Sequence, residues 1–263
     1  MREHRETERG ITTTETGRVD GPVMVMVHGS LDRQATFAKL SAYVGESHRV
    51  VVYDRRGYAR SRHLGGPFTI DSHVEDLRSV VGDRQVVIYG HSLGGTIALA
   101  FADRHPDHVL GLAVYETPMS WLPFWVVPGG VSASLDDGHD TSTVAENFMK
   151  RMIGERRWNS LPEKTRQMRR EEGDTLVGDL LDLRRGSPYD LANVVCPVLS
   201  VVGETAHDRF QRSARIIVEQ CPDSRLLSVP GWNHNAHVTH PSEFATTVIE
   251  PLLRRVADGH WSL

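Results

Sequence analysis

Between Val86 and Arg104 the chain reads VVIYGHSLGGTIALAFADR, and Ser92 stands at the centre of Gly90-His91-Ser92-Leu93-Gly94, with a further glycine at 95. A serine hydroxyl is a poor nucleophile alone. It needs a base to take its proton and a third group to hold that base in the right tautomer. The chemistry to look for is therefore acyl transfer, and the chain offers 14 histidines as bases and 34 carboxylates as orienting acids. Two acids, Glu204 and Asp208, follow a glycine that ends the apolar run Val198–Val202. Another, Glu116, ends the run Leu110–Val114 in Tyr115-Glu116-Thr117-Pro118. A G-x-S-x-G pentapeptide is weak by itself. Its weight comes from the elements around it.

Those elements are legible. Val23–Val27, Val50–Tyr53, Val86–Tyr89 and Leu110–Val114 are short, rich in β-branched residues and apolar at nearly every position, as strands covered on both faces must be. Helical patterns separate them at about Gln34–Val44, Asp71–Val81 and Thr96–Arg104, the last stopped by His105-Pro106. The rhythm returns with strands at Val198–Val202 and Arg225–Val229 and helices at Arg212–Gln220 and Pro241–Val256. The stretch from Glu6 to Arg18 supplies one or two edge strands. This alternation predicts an α/β fold, a mostly parallel central sheet with helices on both faces. From about Thr117 to Tyr189 the rhythm breaks. An aromatic, turn-rich passage (Trp121, Pro123, Phe124, Trp125, Pro128-Gly129-Gly130) leads into helical segments near Thr143–Ile153, Pro162–Glu172 and Thr175–Leu183. The expected organisation is a core of residues 1–117 and 190–263 with an inserted helical cap, or lid, at 118–189. Basic residues dominate between Lys150 and Arg170, either as a solvated helical face or as a contact for an anionic substrate group.

In this setting Ser92 falls between a strand and a helix. The glycines let the two approach closely, the turn forces the serine into an unfavourable backbone conformation, and the helix N-terminus directs N–H groups at a developing negative charge. Two further segments sit at strand ends: His28-Gly29-Ser30 after Val23–Val27, and Asp54-Arg55-Arg56-Gly57-Tyr58-Ala59-Arg60-Ser61 after Val50–Tyr53. Together with Gly90–Gly95 and a histidine loop near the C-terminus, these segments occur in the order of the α/β-hydrolase family. The chain resembles that family over essentially its whole length. The resemblance implies that Ser92 is the nucleophile, that the backbone N–H groups of Leu93 and Ser30 form the oxyanion hole, and that His28, Asp54 and Arg56 brace loops. It also places the base in Pro230-Gly231-Trp232-Asn233-His234, after the strand Arg225–Val229. His234 is the expected base, with His237 and His240 of the same loop behind it.

The acid departs from the common pattern. In the resembled family it usually follows the strand at Val198–Val202, often three residues after a glycine, and here that position is Ala206. Some members instead take it from the strand beside the nucleophile strand, whose end is Glu116. Orienting an imidazole requires position and partial burial, which either strand end can give. Glu116 is the expected acid and Asp208 the alternative.

A serine, a histidine and two amides suit hydrolysis of a small-molecule ester, thioester, lactone or related acyl substrate, without metal or organic cofactor. Trp121, Phe124 and Trp125 in the cap and Trp232 beside the histidine are expected to contact substrate. Ser92 stands where haloalkane dehalogenases and epoxide hydrolases carry aspartate, so those chemistries are excluded. Carbon–carbon bond hydrolysis of a dienoic ketone acid, cofactor-free perhydrolysis and a non-catalytic binding role are the competing readings. The formal charge of −4 gives no reason to expect nucleic acid or an anionic membrane as partner. The charged N-terminus lacks a secretory apolar segment, no apolar run of about 18 residues is present, and Cys196 and Cys221 lack CxxC spacing. A cytoplasmic protein is expected.

Overall fold

The computed structural model describes residues 3–18, 22–125 and 130–261. The expected strands form one eight-stranded sheet, numbered in chain order: β1 (Glu3–Glu6), β2 (Thr12–Gly17), β3 (Val23–Val27), β4 (Arg49–Tyr53), β5 (Val86–His91), β6 (Val109–Tyr115), β7 (Val198–Gly203) and β8 (Ser224–Val229). Their spatial order is β1-β2-β4-β3-β5-β6-β7-β8. β2 is antiparallel to both β1 and β4, and every pairing from β4 to β8 is parallel. From β3 the chain moves outward to β4 on one side, then crosses back to β5 on the other and builds outward through β8, so the reversal point at which open sheets of this kind place their sites lies between β3 and β5. The register aligns the strand ends: Val27 pairs with Gly90, His91 with Tyr115, Tyr115 with Val201, and Gly203 with Val229. Residues just beyond these pairs therefore stand in a row on one edge of the sheet.

Side-chain alternation divides the core in two, as the two-residue period of a strand requires. Val25, Val27, Val51, Ile88, Leu112 and Val114 face helices α2 (Ile70–Val81) and α3 (Leu93–Arg104). Met24, Met26, Val50, Val87, Tyr89, Ala113 and Tyr115 face α1 (Ala38–Val44) and the C-terminal helices. Helix α3 begins at Leu93 rather than Thr96, so the second and third glycines of the serine motif lie inside its first turn. They are there for packing. A Cβ on Gly94 would meet the Val27 carbonyl oxygen at 2.1 Å, and one on Gly95 would meet Thr117 Oγ1 at 2.1 Å.

Between β6 and β7 the chain forms a group of helices in the segment read as a cap. It comprises α4 (Val131–Asp136), α5 (Thr141–Ile153), α6 (Glu155–Ser160), α7 (Glu163–Glu171) and α8 (Gly173–Asp182); the Pro128-Gly129 turn lies outside the described residues. The cap has its own small core of Val131, Val144, Ala145, Met149, Trp158 and Leu176, closed against Leu31 and Tyr58. Carboxylates tie it to the sheet domain. Asp179 pairs with Arg55 at 3.1 Å, both fully buried, and also meets His73 at 2.7 Å and the Tyr58 hydroxyl at 3.0 Å. Glu172 accepts from the Ala59 N–H at 3.0 Å, and Asp182 from the Ile70 N–H at 2.8 Å.

Beyond β7, α9 (Asp208–Gln220) precedes β8. The helix expected over Pro241–Val256 is interrupted. It runs as α10 (Ala236–Thr239), α11 (Pro241–Phe244), a wide π turn over Ala245–Ile249, and α12 (Glu250–Asp258). Pro251 is the physical reason: it has no N–H to donate back into the preceding turn, and its ring crowds the carbonyl there. Cys196 and Cys221 are free, buried thiols. No helix among the described residues is long and apolar enough to cross a membrane.

Candidate active site

Ser92 occupies the turn between β5 and α3 with φ 53° and ψ −124°. For a residue with a Cβ this is a strained conformation, costing about 1–3 kcal/mol and held only where the surroundings enforce it. The enforcement is visible. The Ser92 N–H donates to the Tyr115 carbonyl at 2.8 Å, and its carbonyl accepts from the Gly95 N–H at 2.8 Å. A Cβ on Gly90 would meet Gly95 Cα at 2.6 Å, so the strand and helix close on one another only because both are glycine. The side chain stays half-exposed at the sheet edge. Leu93 opens α3, and its N–H is among those a helix leaves without a carbonyl of its own.

The His-Gly loop after β3 lies alongside. A Cβ on Gly29 would come within 3.0 Å of Ser92 Cβ, which places this loop against the elbow. His28 is buried. Its Nε2 accepts from the Arg55 N–H at 3.0 Å, so its Nδ1 carries the hydrogen and donates to the Gly29 carbonyl at 2.8 Å. Burial, reinforced by the Arg55 charge, holds His28 well below the usual histidine range. The Arg55 guanidinium donates to the carbonyls of His28 and Gly29, both at 3.1 Å. The loop carrying Ser30 is thus fixed from below, and the same guanidinium reaches the cap through Asp179. Asp54 accepts from Gln34 N and Nε2 at 2.9 and 2.8 Å, and Arg56 pairs with Asp76 at 2.6 Å. Both brace loops, in the places the sequence suggested.

Glu116, the first residue past β6, adopts φ 49° and is 2 % exposed. Its Oε2 lies 2.6 Å from His234 Nδ1, and its Oε1 accepts from the Gly203 N–H at 3.2 Å. An ionised carboxylate only accepts, so Nδ1 carries the hydrogen and Nε2 is left with its lone pair free. Gly203 has to be glycine here, since a Cβ would meet the Trp232 carbonyl oxygen at 2.2 Å. The strand end expected to carry the acid instead offers a backbone N–H to an acid from the neighbouring strand. Asp208 is elsewhere. It opens α9 on the surface with its side chain 73 % exposed, 4.0 Å from Arg212. Glu204 is exposed as well.

Two contacts hold the histidine loop that the sequence did not signal. The Tyr115 hydroxyl donates to the Asn233 carbonyl at 2.6 Å, and His91 Nε2 donates to the His234 carbonyl at 2.8 Å. Both donors stand at the paired ends of β5 and β6. The His91 and His234 rings are 4.7 Å apart, which puts the imidazole of His234 over the residue next to Ser92. Of the fallback bases, His237 is fully buried and His240 is exposed.

The expected substrate-facing aromatics divide. The Phe210 ring lies 5.2 Å from the His234 ring, and Trp125 meets Phe210 edge-on at 5.0 Å. Phe124 is next to Trp125 and carries the Arg212 guanidinium 4.2 Å above its face. Phe124, Trp125 and Phe210 therefore form an aromatic wall leading to His234. Trp121 does not join it and packs edge-on against Tyr189 at 5.5 Å. Trp232 is a clear correction. It is 1 % exposed, stacked on Phe244 at 5.1 Å in the core beneath the loop, because a strand-end residue next to a sheet-facing helix is drawn inward. Several basic residues of the 150–170 segment are paired with acids: Arg170 with Glu146 and Glu163, Arg166 with Glu163, Lys150 with Glu146, and Arg169 with Glu172. That supports the solvated-face reading. A cavity of about 940 Å³ opens between β2, α1 and α7, and neither Ser92 nor His234 lines it.

Comparison with known proteins agrees with this architecture. A proline iminopeptidase of Neisseria meningitidis serogroup B is 29 % identical over 149 residues, which is 53 % of this chain and 48 % of that protein. The chain thus spans about half the length of that relative. Among solved structures, a thermophilic esterase from Thermogutta terrifontis superposes with a TM-score of 0.75 over 97 % of this chain and 99 % of its own, at 23 % identity. A bromoperoxidase from Bacillus anthracis gives 0.76 over 96 % and 100 %, at 19 %. At such identities the likeness is one of fold. The family model for the alpha/beta hydrolase fold matches residues 22–241, and the chain belongs to that family.

Proposed function

We propose that this chain is a serine hydrolase that cleaves a small-molecule ester or related acyl substrate through an acyl-enzyme. The reading rests above all on the 2.6 Å contact between Glu116 Oε2 and His234 Nδ1, made beside a serine held at φ 53°. In it, His234 Nε2 takes the Ser92 hydroxyl proton as Oγ attacks the acyl carbon. The carbonyl oxygen becomes an oxyanion held by the Leu93 and Ser30 N–H groups, an arrangement in which each donor is worth about 3–4 kcal/mol. Collapse breaks the bond to the leaving group, which departs with the proton from His234. A water deprotonated by His234 then attacks the acyl-enzyme and releases the acid and Ser92. Glu116 stays ionised throughout and stabilises the imidazolium. The Phe124–Trp125–Phe210 wall would take an apolar acyl or alcohol group. The two free buried thiols fit a reducing compartment, so a cytoplasmic setting belongs to the same proposal.

The acid partners of Lys150, Arg166, Arg169 and Arg170 weaken the alternative carbon–carbon hydrolase, which called for a basic surface facing an anionic substrate. The test is turnover of p-nitrophenyl esters of rising chain length beside acyl-CoA and lactone substrates, with Ser92→Ala as control. Turnover of at least one class, abolished by Ser92→Ala, is expected. A folded chain that turns over none of them, or whose activity survives Ser92→Ala, contradicts the proposal.

A further inference from the structure

Three side chains unused by the proposed reaction meet beside it. Asp32 lies on the loop after β3, His91 ends β5 directly before Ser92, and His237 sits in α10, three residues past His234. One donor atom from each lies within 4.8 Å of the other two. The two rings are 4.3 Å apart, with His91 4 % and His237 0 % exposed.

The polar atoms of this cluster are not satisfied by the protein. His91 Nε2 is committed to the His234 carbonyl, which can only accept, so His91 Nδ1 presents a lone pair. That lone pair has no partner among the described residues, and neither ring nitrogen of His237 has one. The Asp32 carboxylate, 3.9 Å from His91 Nδ1, adds another acceptor. Buried polar atoms are ordinarily paired. Here one nitrogen from each of the two rings and a carboxylate oxygen converge, and the second nitrogen of His237 is unpaired as well.

A cation supplies what is missing. We propose that Asp32, His91 and His237 form a binding site for one divalent transition-metal ion of the zinc class. Two imidazoles and a carboxylate are zinc-type donors, whereas magnesium and calcium prefer all-oxygen sets. The N–H of His91 donating to a backbone carbonyl is the outer contact that ligating histidines make. Burial holds both imidazoles neutral, the form that ligates. With Zn–N and Zn–O near 2.0–2.1 Å, the donors would sit about 3.4 Å apart, a modest closing from the present spacing. Asp32, 16 % exposed, marks the side open to solvent for a fourth ligand. Burial raises the Asp32 carboxyl above its usual range, against the lowering pull of the Arg33 N–H, the Arg169 and Arg33 charges and Thr36 Oγ1, which donates to Oδ2 at 3.1 Å, so an ion bound there competes with a proton. The ion takes no part in bond making. It pins the oxyanion loop, the elbow and the histidine loop to one another.

The test uses the untagged full chain, stripped with chelator and titrated with Co²⁺, then with Zn²⁺. Visible Co²⁺ d–d bands saturating at one equivalent per chain, their displacement by Zn²⁺, and a rise in Tm with Zn²⁺ are expected. Asp32→Asn and His237→Gln should abolish the bands, while His260→Gln, a surface variant, should keep them. Far-UV circular dichroism checks that each variant folds; should His237→Gln fail to fold, Asp32→Asn carries the comparison. Absence of bands and of stoichiometric Zn²⁺ in the parent chain would mean that water alone fills the cluster. One equivalent retained in both Asp32→Asn and His237→Gln would place the ion elsewhere. Either result overturns the proposal, and neither bears on ester turnover by Ser92.

Discussion

Replacing Glu116 with Gln keeps the shape of the side chain and changes only its charge and hydrogen inventory. In the native site both oxygens accept, Oε1 from the Gly203 N–H at 3.2 Å and Oε2 from His234 Nδ1 at 2.6 Å. A glutamine has one oxygen and one NH₂ for these two donors. If the oxygen stays on Gly203, the NH₂ faces Nδ1 and forces the hydrogen onto Nε2, the tautomer that cannot take a proton from Ser92. If the oxygen faces His234, the NH₂ is buried against the Gly203 N–H, leaving donors unpaired at about 1–3 kcal/mol. Loss of imidazolium stabilisation adds to either case. The expected fall in kcat is about 10³–10⁴-fold, or about 4–5.5 kcal/mol in the barrier. Asp208→Asn should change kcat by less than about fivefold, because the Asp208 side chain is 73 % exposed and its ion pair with Arg212 is worth at most about 1 kcal/mol. The assay is steady-state hydrolysis of the best p-nitrophenyl ester, with thermal melts to confirm that both variants fold. A Glu116→Gln enzyme within tenfold of the parent, or a thousandfold loss in Asp208→Asn, would refute the reasoning.

Three further outcomes follow from the geometry. Asp179→Asn strips the charge partner from a fully buried Arg55, so urea denaturation should show a loss of about 3–5 kcal/mol; a loss under about 1 kcal/mol contradicts it. Tyr115→Phe removes the hydroxyl that holds the Asn233 carbonyl. It should lower stability by about 1 kcal/mol and kcat by several-fold with KM little changed, and an unchanged kcat would mean the loop is held without it. Burial lowers His237 to about 3, so the unfolded chain binds its proton first as pH drops, and the stabilisation is complete above about 6.5 and lost on the way to 3. Chelator-treated protein should be about 2 kcal/mol less stable at pH 5 than at pH 7.5 from this residue. His28, His73 and His91 act in the same direction. Equal stability at the two pH values would show that His237 is not held neutral.

The sheet was largely legible because its central strands are covered on both faces, so their apolar runs coincide with the observed spans to within a residue or two. Glu116 could be singled out because adjacent parallel strands place their ends side by side; the pairing of His91 with Tyr115 is the physical content of that inference. Other features depended on packing that no local pattern encodes. Leu93–Thr96 reads as glycine-rich turn, yet close approach to β3 and β6 requires glycine inside a helix. Trp232 and Trp125 are alike in type, but one is buried against Phe244 and the other packs edge-on against Phe210. Phe210, in the first turn of α9, carries no signal of its contact with His234. The same holds for the meeting of Asp32, His91 and His237, which come from the loop after β3, the end of β5 and α10.

The central question is whether Ser92 is an activated nucleophile. The most direct measurement is reaction of the folded chain with a fluorophosphonate probe, followed by mass-spectrometric mapping of the adduct. A single adduct on the peptide containing Ser92 is expected, absent in Ser92→Ala and formed far more slowly in His234→Ala. A folded chain that stays unlabelled, or labelling that persists unchanged in Ser92→Ala, would contradict this role for Ser92.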